Sequence, residues 1–173
     1  FDVFDTQTQI IGYASSKEQF SEQMSLIKDK FQYYNDLYDI YHDYEGMNNI
    51  KTINDNAGIQ PVKVDEEIIE LLKLGITMDE KTDGNMNIAM GSVLSIWHDY
   101  REAGSEDPYS AELPPMDELE RAAEHTDIHD IVIDEEASTV YLTDPDMSLD
   151  VGSIGKGYAV QKVAEYAKNE LGI

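Results

Sequence analysis

The stretch S-L-D-V-G-S-I-G-K-G-Y-A, Ser148 to Ala159, is a short apolar run that breaks into a glycine-punctuated turn and opens a helix. Gly152, Gly155 and Gly157 free the backbone to turn tightly and approach a ligand closely, and the N–H groups of the helix that follows face back onto the turn. That is the local architecture of an anion site. Lys156 adds a mobile positive charge, and Asp150 stands at the strand end, where a carboxylate holds a hydroxyl, an amide or a metal-bound water. A phosphate-bearing ligand fits these features. The run is not a Walker A loop, because only Ser153 and Ile154 separate Gly152 from the Gly155-Lys156 pair, and Gly157 follows the lysine. It is not a dinucleotide fingerprint either. A closely packed strand-to-helix connection would use the same glycines, and spacing alone leaves both readings open.

Outward from this turn, composition narrows the choice of partner. The 173 residues are enough for one domain spanning 1–173 with a sizeable core, and 41% of them are hydrophobic, which sets the chain apart from a disordered acidic tail. With 12 basic and 36 acidic side chains the net charge is -24, which argues against nucleic acid or an anionic membrane as the main partner. An anionic ligand must be bound locally, against the field of the whole molecule, and a divalent cation would ease that conflict. No cysteine is present, so disulfides, thiolate nucleophiles and cysteine-based zinc sites are excluded. No stretch approaches a membrane span and no signal peptide precedes Phe1. The abrupt strand-like start, and the end just past a helix at Ile173, lead to the expectation that both ends are trimmed from something longer. Trimming of that kind removes export signals and lipid anchors.

Residues Val3 to Ala14 alternate as a half-buried strand. Ser15 or Ser16 caps a long amphipathic helix from Glu18 to about Tyr41, with Phe20, Met24, Ile27, Phe31, Tyr34, Tyr38 and Tyr41 on one face. Asp43 to Gly58 reads as a long loop with at most a short helical turn. A second helix runs from its cap at Asp65 to the Thr82-Asp83-Gly84 stop, and a third from Ser92 to Tyr100 carries Trp97. Ala103 to Pro115 is expected as surface loop and Met116 to His125 as a short helix. Ile128 to Ile133 and Thr139 to Thr143 form a hairpin; Ser148 to Val151 is a strand, and Tyr158 to Leu171 the last helix. Hairpin and long helix together imply an α+β fold, with helices packed on a mainly antiparallel sheet.

Several constellations invite chemistry and fail on local structure. His125 and His129 are four apart, but a helix-to-strand change at Asp127 and Ile128 separates them, so they do not share a helix face for zinc. Asp79, Lys81, Asp83 and Gly84 mimic a calcium loop, yet Lys81 occupies a ligand position and Met90 replaces the bidentate glutamate. Asp134, Glu135 and Glu136 are a solvated hairpin tip. No Ser-His-Asp order or nucleophile elbow is evident.

Four segments taken in order carry a resemblance: Asp5-Thr6, the Tyr41 to Asn54 loop, T-D-G-N-M-N-I-A-M-G-S-V-L-S-I-W at Thr82 to Trp97, and D-V-G-S-I-G-K-G-Y-A at Asp150 to Ala159. The chain resembles the FAD:protein FMN transferases, the ApbE-type flavin transferases, over its whole length. The resemblance implies a T-fold-like flavin transferase domain in which bound FAD is cleaved at its pyrophosphate with Mg2+. The FMN half passes to a threonine hydroxyl of a client flavoprotein, and AMP is released. Carried over by position, Phe4, Tyr41, Asn85, Met86, Asn87, Asp150 and Lys156 are implied to contact FAD, and Ser153 to offer its backbone carbonyl to Mg2+. The sequence departs from the family pattern at Asn87 and Ala89, where an Asp and a Thr are usual, and in its longer D-Y-E-G-M-N-N-I-K-T-I-N loop. By the same resemblance the catalytic residues and acidic metal ligands lie beyond Ile173, so this chain alone is expected to be weak or inactive. FAD hydrolysis to FMN and AMP, and a non-catalytic flavin-binding or client-docking module, are the alternatives. The resemblance also implies an extracytoplasmic bacterial protein held at the cell surface by a lipid anchor that this chain lacks.

Overall fold

Apolar residues at spacings of three and four make α1 (Lys17–Leu37), which buries Ile27, Phe31, Tyr34 and Leu37 along one stripe. A computed structural model of the chain describes residues 1–173. Ser16 caps α1, its hydroxyl oxygen accepting from the Gln19 N–H at 3.1 Å. The helix ends at Leu37 and not at Tyr41, because the Asp39 carboxylate captures the N–H groups of Tyr41 and His42, bonds that compete with continued helix. The expected Asp43 to Gly58 loop holds α2 (Ile50–Asp55), followed by β3 (Val62–Lys63) and α3 (Glu66–Lys81). Asp65 stands at the N-cap of α3 without a capping bond; its carboxylate accepts from the Tyr33 hydroxyl at 3.1 Å.

The expected strand from Val3 to Ala14 is absent. In its place β1 (Asp2–Val3) and β2 (Thr6–Gln7) form a two-stranded ribbon, because Phe4 and Asp5 both take left-handed backbone, φ 54° and 53°, and reverse the chain. Two such non-glycine residues cost about 1 kcal/mol each. The turn is held by the Phe4 N–H donating to Asn35 Oδ1 at 2.6 Å and by the burial of Val3. Ile11 and Tyr13, further along the expected strand, are exposed.

After α3, α4 (Gly91–Glu106) runs past the expected end at Tyr100, absorbing the start of the Ala103 to Pro115 loop. Gly104 is tolerated in its last turn, and irregular chain begins at Asp107, just before Pro108. Then come α5 (Met116–Ala123), a 3-10 turn at Ile128–Asp130, β4 (Ile131–Asp134) and β5 (Thr139–Leu142). The hairpin stands as expected, beginning three residues later than Ile128, and β5 is the centre of an antiparallel sheet in the order β3-β5-β4. Val140 faces Val62 on one side and Ile133 on the other. The architecture is α+β, with helices on small antiparallel sheets around one contiguous core.

Ser148 to Val151 is extended but joins no sheet. A side-chain amide replaces the neighbouring strand: the Leu149 N–H donates to Asn54 Oδ1 at 2.8 Å, and Asn54 Nδ2 donates back to the Leu149 carbonyl at 3.0 Å. On the other flank the Asp150 N–H donates to the Ile88 carbonyl at 2.9 Å and the Gly91 N–H to the Ser148 carbonyl at 3.0 Å. Gly91 is required for this approach, since a Cβ there would lie 2.5 Å from the Ser148 carbonyl oxygen. Leu149 and Val151 are buried and Asp150, between them, turns outward. The last helix, α6 (Gly155–Asn169), starts three residues before Tyr158, which puts Lys156 and Gly157 in its first turn. It packs on α1 and is tied to α3 by Glu70, whose carboxylate accepts from the Tyr158 hydroxyl at 2.8 Å and pairs with Lys162 at 2.5 Å. Burial, reinforced by the hydrogen bond to that carboxylate, pushes the Tyr158 hydroxyl up to about 12.

Two buried polar side chains near the end of α1 differ in how they are satisfied. Asn49 is fully buried and caps α2; its Oδ1 accepts from Thr52 N–H at 3.0 Å, while Nδ2 donates to the Asp36 and His42 carbonyls at 3.1 and 2.8 Å. The Tyr38 hydroxyl is buried with no hydrogen-bond partner, and burial holds it far above the ordinary phenol range. Asn49→Ala should therefore cost about 3 kcal/mol, by loss of a cap and two buried bonds. Tyr38→Phe should stabilise by about 1 kcal/mol, by removing an unpaired group. Urea unfolding of both variants checks the opposite signs.

Candidate functional site

The end of α1, the Asp39 to Tyr44 turn, the Phe4-Asp5 reversal and the start of α6 enclose a cleft of 420 Å³. Its floor is Asp150, Val151 and Gly152, presented by the pinned extended segment. Within the glycine turn Asp150 Oδ1 accepts from the Gly152 N–H at 2.8 Å. The N–H groups of Ser153, Lys156 and Gly157 have no protein acceptor, so the first turn of α6 keeps free donors and the positive end of its dipole at this wall. Lys156 is exposed at the same wall and forms no ion pair.

Of the residues singled out in the sequence, the structure brings Phe4, Tyr41, Asp150 and Lys156 together around this cleft. Ser153 lies on the turn between Gly152 and Gly155, exposed, with its side chain outside the lining. Asn85, Met86 and Asn87 are not part of the cleft. Asn85 is exposed and donates to the Thr82 carbonyl at 2.6 Å, and Met86 packs against the core. Both ends of the Asn87 amide are used internally: Nδ2 donates to the Thr126 carbonyl at 2.8 Å and Oδ1 accepts from the Ala89 N–H at 2.7 Å. This segment holds the site in place, since it leads into Ile88, whose carbonyl receives the Asp150 N–H.

Other lining residues had no place in the sequence reading. Arg101 reaches the cleft from α4 and donates to His98 Nδ1 at 2.7 Å. The His98 ring lies 5.2 Å from that of Tyr41, tilted by 32°, and the Tyr41 hydroxyl is 3.4 Å from the same Nδ1. Burial, with Asp150 reinforcing it, raises the Tyr41 hydroxyl above its ordinary value, while Arg101 pulls the other way. Two further cavities, of 500 and 450 Å³, also border both Tyr41 and Asp150, so these residues stand at the meeting point of a groove longer than the first cleft. The signal that would have found Arg101 is its i,i+3 spacing from His98, with both side chains left outside the apolar stripe of the helix.

Among the rejected constellations, His125 pairs with Asp144 at 2.7 Å, with Asp146 at 4.0 Å, and not with His129. These three donors lie within 4.8 Å of one another, outside the cleft. The hydrogen bond to Asp144 raises the imidazole pKa and lowers that of the carboxyl.

The turn that presents Tyr41 depends on Asp39. Its Oδ1 accepts from the N–H groups of Tyr41 and His42 at 2.6 and 3.2 Å, and its Oδ2 from the Tyr44 hydroxyl at 2.7 Å. Burial pushes this carboxyl up, but the converging donors outweigh it and hold the pKa below the usual carboxylate range. A depressed folded value means stabilisation that is present above the unfolded value near ~3.9 and lost as pH falls through the folded one. Asp39→Asn should therefore flatten the loss of stability between about pH 4 and 2, relative to the unchanged protein, in denaturant unfolding followed against pH. Parallel acid limbs in the two proteins would refute this role.

The sequence model of the ApbE family matches residues 4–173. An FAD:protein FMN transferase of Klebsiella pneumoniae is 24% identical over 168 residues, which cover 97% of this chain and 51% of that relative. The ApbE protein of Thermotoga maritima has the same fold at a TM-score of 0.72, with 24% identity over 90% of this chain and 47% of its own. The flavin transferase ApbE of Vibrio cholerae superposes at a TM-score of 0.67, with 22% identity over 92% and 47% of the two chains. The chain thus spans about half the length of the Klebsiella relative and 40% of one from Escherichia coli. Matched almost from end to end by one family's sequence model, and built on that family's fold, the chain belongs to the ApbE family.

Proposed function

We propose that the protein transfers FMN from FAD to a threonine hydroxyl of a client flavoprotein, with Mg2+, releasing AMP. The observation that carries this reading is the convergence of Tyr41, Asp150, Lys156 and the free N–H groups of α6 on one cleft, in a chain of net charge -24. Such a chain holds a diphosphate only where donors and a cation are concentrated. The Klebsiella relative bears the name of this activity.

In the reaction a threonine oxygen bonds to the FMN phosphorus as the anhydride P–O bond breaks; AMP leaves with the electron pair and the threonine proton is released. The chain's own residues bind and orient. Tyr41 offers a ring face to the flavin, Lys156 and the α6 N–H groups hold phosphate oxygens, and the Phe4 side of the cleft limits access by water. Mg2+ suits the site in part: the Ser153 carbonyl accepts no protein hydrogen bond, and Asp150 has one carboxylate oxygen free of the Gly152 N–H. When bound, Mg2+ would supply charge neutralisation on the diphosphate, and it commonly takes few protein ligands beside substrate oxygens and water. We further propose that the protein works outside the cytoplasm on a lipid anchor; none of the helices described is long and apolar enough to cross a membrane.

The full-length protein should quench FAD fluorescence on titration. With Mg2+ and client it should release AMP and leave the client carrying covalent flavin in a denaturing gel. AMP without a flavinylated client would mean hydrolysis, and FAD bound but intact would mean a binding module. Lys156→Gln should weaken FAD binding about tenfold, the worth of one charge-assisted hydrogen bond. Radiolabelled palmitate in the full-length protein, recovered with membranes, checks the anchor.

A further inference from the structure

We propose that Arg101 is a second diphosphate-binding cation, which faces the site from α4 and gives it its preference for a dinucleotide over an unphosphorylated flavin. The inference rests on the flavin reading above and extends it to a residue outside the glycine turn.

Charge provides the first argument. Of the 12 basic side chains, only Lys156 and Arg101 line the cleft, where Asp5, Asp39 and Asp150 also stand. A single lysine at that wall leaves a ligand of two negative phosphates facing three carboxylates. The chain has two arginines. The other, Arg121, is tied along its own helix to Asp117 at 2.9 Å and lies outside the groove.

Position provides the second. Arg101 borders both the 420 Å³ cleft and the 500 Å³ cavity that Trp97 and Leu113 line, so it stands where a ligand spanning the two would pass. Its side chain is not adrift there. One guanidinium nitrogen donates to His98 Nδ1 at 2.7 Å, and His98 stacks against Tyr41. With Nδ1 accepting, the remaining imidazole proton sits on Nε2. The pair to Glu102, at 3.4 Å between exposed groups, is weak. Several of the five guanidinium N–H donors stay available, in a planar fork suited to phosphate oxygens. An arginine carried on a helix by an imidazole, at a junction of two cavities, is placed to grip the middle of an extended ligand.

The test compares FAD with riboflavin, by fluorescence titration of the full-length protein and its variants at two salt concentrations. Arg101→Gln should weaken FAD about tenfold or more while leaving riboflavin unchanged, and should lessen the salt dependence of FAD binding. Arg101→Lys should recover part of the loss. Equal weakening of both flavins would overturn the proposal, because Arg101 would then act only by propping His98 and Tyr41. So would an unchanged FAD affinity, or the same loss in Arg121→Gln. Failure of the unsubstituted protein to bind FAD at all would instead sink the flavin reading, and this inference with it.

Discussion

One half-buried amide carries the site. Asn54 sits on α2, in the middle of what the sequence presents as loop, and exchanges two hydrogen bonds with the Leu149 backbone as a neighbouring strand would. The extended segment therefore needs no sheet to stay straight. Because it stays straight, Leu149 and Val151 point into the core and Asp150 points out at the cleft floor, the alternation of any extended chain. The glycine turn and the start of α6 follow from where that segment ends. An alanine at position 54 would leave two backbone groups in the core unpaired, and the cleft would lose the support under its floor.

Electrostatics set the second limit. A molecule with three times as many acidic as basic side chains repels anions everywhere except where its structure arranges otherwise. Four of its 12 basic side chains are engaged away from the groove: Lys51 with Asp43 and Asp55, Lys73 with Glu135, Lys162 with Glu70, Arg121 with Asp117. Two cations remain at the groove: Lys156 in the first turn of α6, without an ion-pair partner, and Arg101, hydrogen-bonded to His98. Specificity in such a site comes from position, since the surrounding field offers no help.

How much of this was legible in the sequence follows from the range of the forces involved. The α1 stripe, the β4–β5 hairpin and the glycine turn are written in local spacing, and all three are found. The reversal at Phe4 and Asp5 is not, because it depends on Asn35, far along the chain, and because the alternating pattern from Val3 onward is what a longer strand would also show. Tyr41 reads as helix by period; a single side chain at Asp39 removes it from the helix and turns it into a cleft residue. Asn85 to Asn87 matched a family segment by order, yet the Asn87 amide is spent on Thr126 and Ala89, contacts that no linear spacing reveals. Arg101 carries only its i,i+3 spacing from His98 as a local signal, and that it faces a cleft depends on residues far along the chain.

The contact at Gly91 has a mechanical side. There the α4 backbone lies against both the backbone and the hydroxyl of Ser148, with no room for a side chain at position 91. The helix is thereby fixed at its root, and beyond it packs on α5, with the Ser92 hydroxyl donating to the Ala122 carbonyl. Arg101 lies ten residues from the root, about 15 Å along the axis. The register fixed at Gly91 thus decides where Trp97, His98 and Arg101 stand along the groove, across from Asp150.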